Sequence, residues 1–115
     1  MNETVLQVKN IIGDSFAVEA EDGQKVFDHI VKSISSKRKV NLSFKNIELV
    51  TTAFLNTAVG QLYDKFSEEE VRSYFMVSHT TNSIEISLKR VVKTAKLHYS
   101  DPDALQRSID EIMNE

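Results

Sequence analysis

Two stretches of small hydroxyl residues are the best candidates for chemistry in this chain. Thr51 and Thr52 directly follow the apolar pair Leu49-Val50, and His79-Thr80-Thr81 follows a second apolar run. Each stretch stands where a predicted strand gives way to a predicted helix. The first N–H groups of a helix are free and its dipole favours negative charge, so either stretch could bind a phosphate or a carboxylate. The simpler alternative is that Thr51 or Thr52 only caps the helix.

The remaining polar residues point to no catalytic machinery. His29, His79 and His98 do not have the spacing of a metal site, and no nucleophile with its base can be assigned around His79. The absence of cysteine excludes disulfides and thiolate metal sites. No glycine-rich phosphate loop is present. We therefore predict a protein that is not an enzyme and that uses neither a metal nor a cofactor.

The charged residues favour neither nucleic acid nor membrane as a partner. The net charge is −3 at pH 7, and one basic cluster contains Lys89, Arg90, Lys93 and Lys96. A solvated helix surface explains this cluster most simply, and an acidic partner is the alternative. The cluster does not favour nucleic acid, because no aromatic residues are interleaved with the charges. No apolar run approaches the ~20 residues of a membrane span, and residues 1–10 lack the order of a signal peptide. We therefore expect a soluble, cytoplasmic protein.

Strands and helices alternate around these residues. Short β-prone runs predict strands at 4–8, 16–20, 40–44 and 74–78. The last run is continuously apolar, which is typical of a strand buried on both faces. The first two strands could form a hairpin, or the first could lie at the edge of the sheet.

Apolar residues at helical spacing predict the helices between these strands. Asp22 is the predicted N-cap of a helix with one apolar stripe, which contains Val26, Phe27, Ile30, Val31 and Ile34. The strongest helical signal runs from 54 to 66. Gly60 lies inside it and costs ~1 kcal/mol relative to alanine, which predicts close packing against a neighbour.

Further helices are predicted towards the end of the chain. Ser67 and the three glutamates after it indicate the N-cap and acidic first turn of a short helix. Residues 83–99 form a long helix that Pro102 ends. A last amphipathic helix over 103–113 carries Leu105, Ile109, Ile112 and Met113. Whether it packs on its own domain or on a second copy stays open, so a homodimer is one alternative.

The alternation of strands and helices predicts an α/β fold with a mostly parallel sheet covered by helices. A length of 115 residues is ordinary for one domain. We expect residues 1–115 to form that domain, with 101–115 as a C-terminal helical extension. Function in such sheets gathers outside the carboxyl ends of the strands, where the two hydroxyl-rich stretches are predicted to lie.

The segment Val40 to Phe66 resembles the STAS domains, named for sulfate transporters and anti-sigma factor antagonists. In those domains a strand delivers a short hydroxyl-rich turn to the start of a helix, and here that turn is Thr51-Thr52-Ala53-Phe54. More closely, the chain is similar to a small bacterial STAS-like family whose role is largely unassigned. The resemblance implies a single-domain STAS-like fold with a four- to five-stranded, mixed but mostly parallel sheet and about four helices.

The resemblance also implies a candidate phosphorylation site. In the antagonists the turn reads Asp-Ser-Ser-Gly, and a partner kinase phosphorylates one of its serines. That serine falls on Ala53, which cannot accept a phosphate, and the preceding serine falls on Thr52. The aspartate falls on Thr51, and the glycine on Phe54, which would anchor the helix in the core. Thr52, and after it Thr51, is therefore the candidate phosphoacceptor.

By this resemblance the chain is a non-enzymatic regulatory module that binds another protein. The implied partner is a cytoplasmic regulatory protein such as a histidine-kinase-like ATPase, and the phosphate would block that contact. The surface expected to bind the partner contains Thr51, Thr52, Ala53, Asn56, His79 and Thr80. The alternative is a small-ligand sensor that holds an anion or a nucleotide at the same helix N-terminus.

Overall fold

The computed structural model describes residues 3–100, so the predicted C-terminal extension at 101–115, with its helix at 103–113, lies outside the described residues. The strands are β1 (Glu3–Gln7), β2 (Phe16–Ala17), β3 (Lys39–Ser43), β4 (Leu49–Val50) and β5 (Phe75–Ser78). The helices are α1 (Val8–Ile12), α2 (Ala20–Ser35), α3 (Thr52–Leu55), α4 (Leu62–Lys65), α5 (Glu68–Tyr74) and α6 (Asn82–Ser100). A π-helical turn, Asn56–Gly60, follows α3 and leads into α4. The α/β class predicted from the sequence is confirmed.

The main sheet has three parallel strands, with β3 between β1 and β5. Leu42 at the centre of β3 lies opposite Leu6 of β1 and Val77 of β5. β2 and β4 form a separate, two-stranded parallel sheet in which Phe16 lies opposite Leu49. The predicted four- to five-stranded mixed sheet is therefore wrong in its strand count, and every pair among residues 3–100 is parallel.

β4 pairs with β2 and does not join the main sheet, in which β3 is already paired on both sides. The chain leaves β3 through a turn in which Ile47 donates its backbone N–H to the Phe44 carbonyl, at 3.1 Å. Asn46 takes a positive φ of 63° within this turn. Glu48 then donates its N–H to the Ser15 carbonyl at 2.8 Å, which brings the chain alongside β2. The local signals predicted where the strands lie, although β2 covers only Phe16–Ala17 of the predicted 16–20. They did not specify which strands would pair.

The two outer strands of the main sheet decide between the two alternatives for β1 and correct the prediction for β5. β1 pairs in parallel with β3, so it is an edge strand and forms no hairpin with β2. The prediction that 74–78 is a strand buried on both faces is wrong: Tyr74 belongs to α5, and Met76 and Val77 are 48% and 36% exposed. β5 is exposed because, within the described chain, no strand pairs with its outer side.

The helices pack their predicted apolar stripes into one core around β3. Val26, Ile30 and Ile34 of α2 are buried, as are Val40 and Leu42 of β3. The helical run at 52–65 adds fully buried residues, which are Phe54, Leu55, Ala58, Val59 and Leu62. Each large apolar side chain buried in this way contributes roughly 1.5–3 kcal/mol. The described chain has five helical segments when 52–65 is taken as one, against the four predicted, because α1 was not foreseen.

The start of α2 differs from the prediction. Asp22 was expected to be its N-cap, but the helix begins at Ala20, and Glu19 stands at the cap position without a side-chain cap bond. The Glu19 carbonyl already accepts the N–H of Gly23, at 3.1 Å. This bond closes the first helical turn before Asp22, which therefore lies inside the helix.

The close contact predicted at Gly60 is found at Gly23 instead. A Cβ atom on Gly60 would lie 3.5 Å from Cγ1 of Val91, an ordinary van der Waals distance. A Cβ atom on Gly23 would lie 2.6 Å from the carbonyl oxygen of Phe54. The backbone of α2 therefore packs directly against α3 at Gly23, and only glycine leaves room for that approach.

α5 begins with the cap that the sequence predicts. The Ser67 hydroxyl accepts the N–H of Glu70 at 3.1 Å, and the Ser67 N–H donates to the Glu70 carboxylate at 3.0 Å. These two bonds form a capping box, which satisfies two otherwise free donors. The bond from the Ser67 backbone N–H lowers the pKa of the Glu70 carboxyl.

Replacing Ser67 with alanine should lower the free energy of unfolding by about 1 kcal/mol, the usual cost of losing an N-cap. Urea denaturation at pH 7 measures this change. Ser73→Ala, at an exposed position of the same helix, is the control and should be close to neutral. Because the pKa of Glu70 is lower in the folded chain, its contribution is present above its unfolded pKa and is lost as pH falls through the folded value. Equal stability of the two variants would contradict the cap.

Candidate functional site

Thr51 is the N-cap of α3, and its side chain joins α3 to β2. The Thr51 hydroxyl accepts the N–H of Phe54 at 3.2 Å and donates to the Val18 carbonyl at 2.5 Å. The Thr51 N–H donates to the Ala17 carbonyl at 3.1 Å. The capping alternative is therefore correct for Thr51. A phosphate on this hydroxyl would remove the bond that it donates to Val18.

Of the five residues that follow Thr51, three are exposed and two are buried. Thr52, Ala53 and Asn56 are exposed, whereas Phe54 and Leu55 are completely buried. The prediction that Phe54 anchors this helix in the core is confirmed. Thr52 is the first residue of α3, so its hydroxyl is presented to solvent where negative charge is favoured. Thr52 is thus the more accessible of the two candidate phosphoacceptors.

An exposed apolar surface lies beside this turn and was missed by sequence reasoning. Phe16 and Leu49 pair directly across β2 and β4, and they are 49% and 50% exposed. Val18 is 36% exposed, whereas Ala17 between Phe16 and Val18 is fully buried. We call Phe16, Val18 and Leu49 the β2–β4 patch. The hydrogen bond from Thr51 to the Val18 carbonyl holds this patch next to the turn.

A signal for this patch was present in the sequence. The spacing of Phe16 and Val18 puts them on one face of a strand. Periodicity alone does not say whether that face points to the core or to solvent. In the structure Ala17 belongs to the buried core, so Phe16 and Val18 face solvent.

The second hydroxyl-rich stretch forms the start of α6. The Thr81 hydroxyl accepts the N–H of Ile84 at 3.2 Å, and the Thr80 hydroxyl donates to the Glu85 carboxylate at 3.0 Å. His79 is exposed and takes a positive φ of 54°. These bonds stabilise the loop and the first turn of the helix.

The two hydroxyl-rich stretches lie near opposite ends of α6. Asn56 lines a small cavity of about 140 Å³ with Thr94, His98 and Tyr99, near the end of α6. His79 and Thr80 precede the start of the same helix. At a rise of 1.5 Å per residue, the two ends of α6, Asn82 and Ser100, are about 27 Å apart. One small ligand therefore does not reach both stretches, although a partner protein could.

Three of the four residues of the basic cluster on α6 line one groove. Lys89, Lys93 and Lys96 line a groove of about 420 Å³ between α6, Tyr63 and β5, and we call it the α6 groove. Lys96 also binds the Glu68 carboxylate at 2.9 Å and lies 5.9 Å from the ring centre of Tyr63. The hydrogen bond from Lys96 lowers the pKa of Glu68. Burial raises the pKa of Tyr63, although the Lys96 charge opposes this rise.

Residues 3–100 contain neither a cluster of metal ligands nor a helix that could span a membrane. Within residues 3–100, no group of three or more His, Asp or Glu side chains is placed to hold a metal ion. In the same range, no helix combines the length and the hydropathy needed to cross a membrane.

The parallel α/β core, with a short strand leading through a capped turn into a buried helix, is that of a STAS-like domain. Residues 22–85 match the family described as "STAS-like domain of unknown function (DUF4325)". The match spans more than half of the chain, so the chain belongs to this family, and the predicted resemblance is confirmed. The matched segment contains most of α2, all of β3 and the whole turn at 51–56. No curated protein and no solved structure matches the chain significantly.

Proposed function

We propose that this chain is a non-enzymatic module that binds a regulatory partner protein through the β2–β4 patch and the adjoining exposed turn at Thr52 and Ala53. The observation that carries this proposal is the exposure of Phe16 and Leu49, about half of each side chain, directly beside that turn. Apolar side chains grouped on a surface mark contact sites for other proteins. Membership of a STAS-like family supports the same reading.

Phe16 is the expected anchor of this contact. Aromatic residues dominate binding energy at interfaces when they enter a pocket on the partner. Leu49 extends the apolar contact on the neighbouring strand, and the Thr51 cap fixes the turn relative to both. The surface is therefore preorganised, which reduces the ordering cost of association.

Thr52 supplies the proposed switch. A partner of the histidine-kinase-like ATPase class, in a bacterial cytoplasm, would transfer the γ-phosphoryl group of ATP to the Thr52 hydroxyl oxygen. The hydroxyl proton is released and ADP is the second product. The phosphate adds ~1.5–2 negative charges beside an apolar contact. Desolvating this charge on association is unfavourable, so the phosphorylated chain releases its partner.

Site-specific photocrosslinking in the native cell tests the proposed surface. A photoreactive phenylalanine analogue at position 16 should capture a protein that the same analogue at position 86 does not. Ile86 is the matched control because it is apolar, 54% exposed and located on α6. Leu49→Lys should then reduce capture about tenfold or more, which corresponds to ~1.4 kcal/mol or more. Ile86→Lys should leave capture unchanged.

The same assay separates the switch from the docking surface. Thr52→Glu should reduce capture at position 16, whereas Thr52→Val, which removes the hydroxyl without adding charge, should not. Equal capture by Leu49→Lys and Ile86→Lys would refute the docking surface. Loss with Leu49→Lys but no difference between the two Thr52 variants would leave the surface and remove the switch.

A further inference from the structure

The α6 groove presents an apolar surface that residues 3–100 leave partly exposed. Its volume of about 420 Å³ lies in the range of small-molecule sites in proteins, about 300–1,000 Å³. Met76 and Val77 of β5 are 48% and 36% exposed there, whereas Leu88 of α6 is almost completely buried. The groove is separate from the β2–β4 patch and plays no part in the function proposed above.

Two lysines on the α6 side of this groove have no ion pair within residues 3–100. Lys89 and Lys93 are exposed, and neither makes a salt bridge in that range. Glu85 lies one turn before Lys89, but its carboxylate accepts the Thr80 hydroxyl at 3.0 Å. None of the described residues that line the groove is acidic. An apolar surface is therefore combined with positive charge that no neighbouring carboxylate neutralises.

The spacing of the two lysines favours a bound anion. Lys89 and Lys93 are four residues apart, so they lie on one face of α6 and about 6 Å apart along its axis. Like charges at this spacing repel each other and destabilise a helix, and an anion that contacts both would offset that repulsion. Lys96 differs, because it already binds the Glu68 carboxylate at 2.9 Å. The anionic group is therefore expected at Lys89 and Lys93.

We propose that the α6 groove binds a small amphiphilic carboxylate, such as a medium-chain fatty acid. Its carboxylate contacts Lys89 and Lys93, and its apolar chain covers Met76, Val77 and Leu88. At about 30 Å³ for each water-sized group, the groove holds on the order of 14 carbon and oxygen atoms, which suits a chain of roughly ten carbons. Removing these apolar side chains from water supplies the driving force.

A nucleotide suits this groove poorly. Its sugar and phosphate groups would lose water against an apolar lining that offers them few hydrogen-bond partners, and this loss is unfavourable. A carboxylate with a single hydrocarbon chain has only one polar group to place. The free lysines lie together on one face of α6, which matches a ligand with its charge at one end.

Titration of the full chain with decanoate, followed by NMR of the protein's methyl groups, tests the site. Decanoate is kept below the concentration at which it forms micelles. The methyl signals of Met76, Val77 and Leu88 should shift and saturate, because these side chains line the groove. Leu49 is the internal control, since it is 50% exposed but belongs to the β2–β4 patch, and its signal should not move. Thermal denaturation should show a melting temperature that rises with decanoate concentration.

The contact with the carboxylate is tested from both sides. Decanol has the same chain without the charge and should bind about tenfold more weakly than decanoate. Lys89→Met with Lys93→Met keeps the apolar stems of both side chains, so it should weaken decanoate binding about tenfold and change decanol binding little. Lys32→Met with Arg90→Met is the matched control, because it removes the same charge from exposed positions outside the groove lining. It should leave both affinities unchanged.

Four outcomes would overturn the proposal. Shifts of equal size at Leu49 and Leu88 would mean that decanoate adsorbs to any apolar surface. Equal affinities for decanoate and decanol would remove the role of the lysines. Groove signals that shift with protein concentration alone, and not with decanoate, would assign the groove to a second copy. Signals that respond only to an added acidic amphipathic peptide would assign it to a partner protein.

Discussion

Phe54→Ala should lower the free energy of unfolding by about 3–5 kcal/mol, which is a large part of the stability of a domain of this size. The Phe54 side chain is completely buried, and its own N–H is bound by the Thr51 cap. Removing the ring leaves a cavity at the point where α2, α3 and the π-helical turn meet. The cost therefore includes both the lost burial and the unfilled space.

Phe16→Ala is the matched control, because it removes the same ring from a site that is 49% exposed. Its expected cost is below about 1 kcal/mol. Chemical denaturation of both variants, followed by circular dichroism, measures the difference. Similar losses in the two variants would mean that Phe54 does not anchor the core.

The two phenylalanines should also differ in their effect on binding. Phe16→Ala is expected to remain folded and to lose the partner captured through the β2–β4 patch. Phe54→Ala should lose both stability and binding, because the buried Phe54 ring anchors the turn that carries Thr52 and Ala53. A folded Phe16→Ala variant that binds its partner normally would count against the patch and not against the fold.

Gly23→Ala should destabilise the chain by about 1–2 kcal/mol, although alanine is normally the better helix residue. Alanine in a helix gains roughly 1 kcal/mol over glycine, but here its Cβ would lie 2.6 Å from the Phe54 carbonyl oxygen and 3.0 Å from Thr57 Cβ. The first of these contacts is with backbone, so relief requires α2 and α3 to move apart. Overpacking of this kind commonly costs about 1–3 kcal/mol. We expect this cost to exceed the gain in helix propensity.

Gly60→Ala is the control for this prediction, because its Cβ would make ordinary contacts with Val91 and Ala95. We expect it to be neutral or to stabilise the chain by up to about 1 kcal/mol. Thermal and urea denaturation of both variants under one condition checks the sign of each change. Stabilisation by Gly23→Ala would show that α2 and α3 are not in close contact at that position.

Gly23 also shows how the position of the turn depends on distant residues. The approach of α2 to α3 at this glycine fixes the Phe54 carbonyl, and the Thr51 hydroxyl binds the Val18 carbonyl two residues before α2. The exposed residues Thr52 and Ala53 are held by both constraints. A change at Gly23 should therefore weaken partner binding as well as stability.

Much of the local structure followed directly from the sequence. The apolar stripe of α2, the alternation in β3 and the caps at Thr51 and Ser67 depend on residues within one or two turns of each other, and the structure contains all of them. The Thr51 to Phe54 turn also carried the resemblance that family membership confirms. Spacing and capping chemistry are local, so a single sequence predicts most of these features, although the N-cap predicted at Asp22 was wrong.

The tertiary structure decided what the local signals left open. Only strand pairing shows that β4 joins β2, that Phe16 and Val18 face solvent, and that β5 is an exposed edge. Only helix packing shows that the close contact lies at Gly23 and that His79 is far from Asn56 along α6. These features depend on contacts between residues that are distant in sequence. Periodicity predicts that an apolar face exists, but not what covers it, and so the sequence predicted the turn while the fold placed the apolar patch beside it.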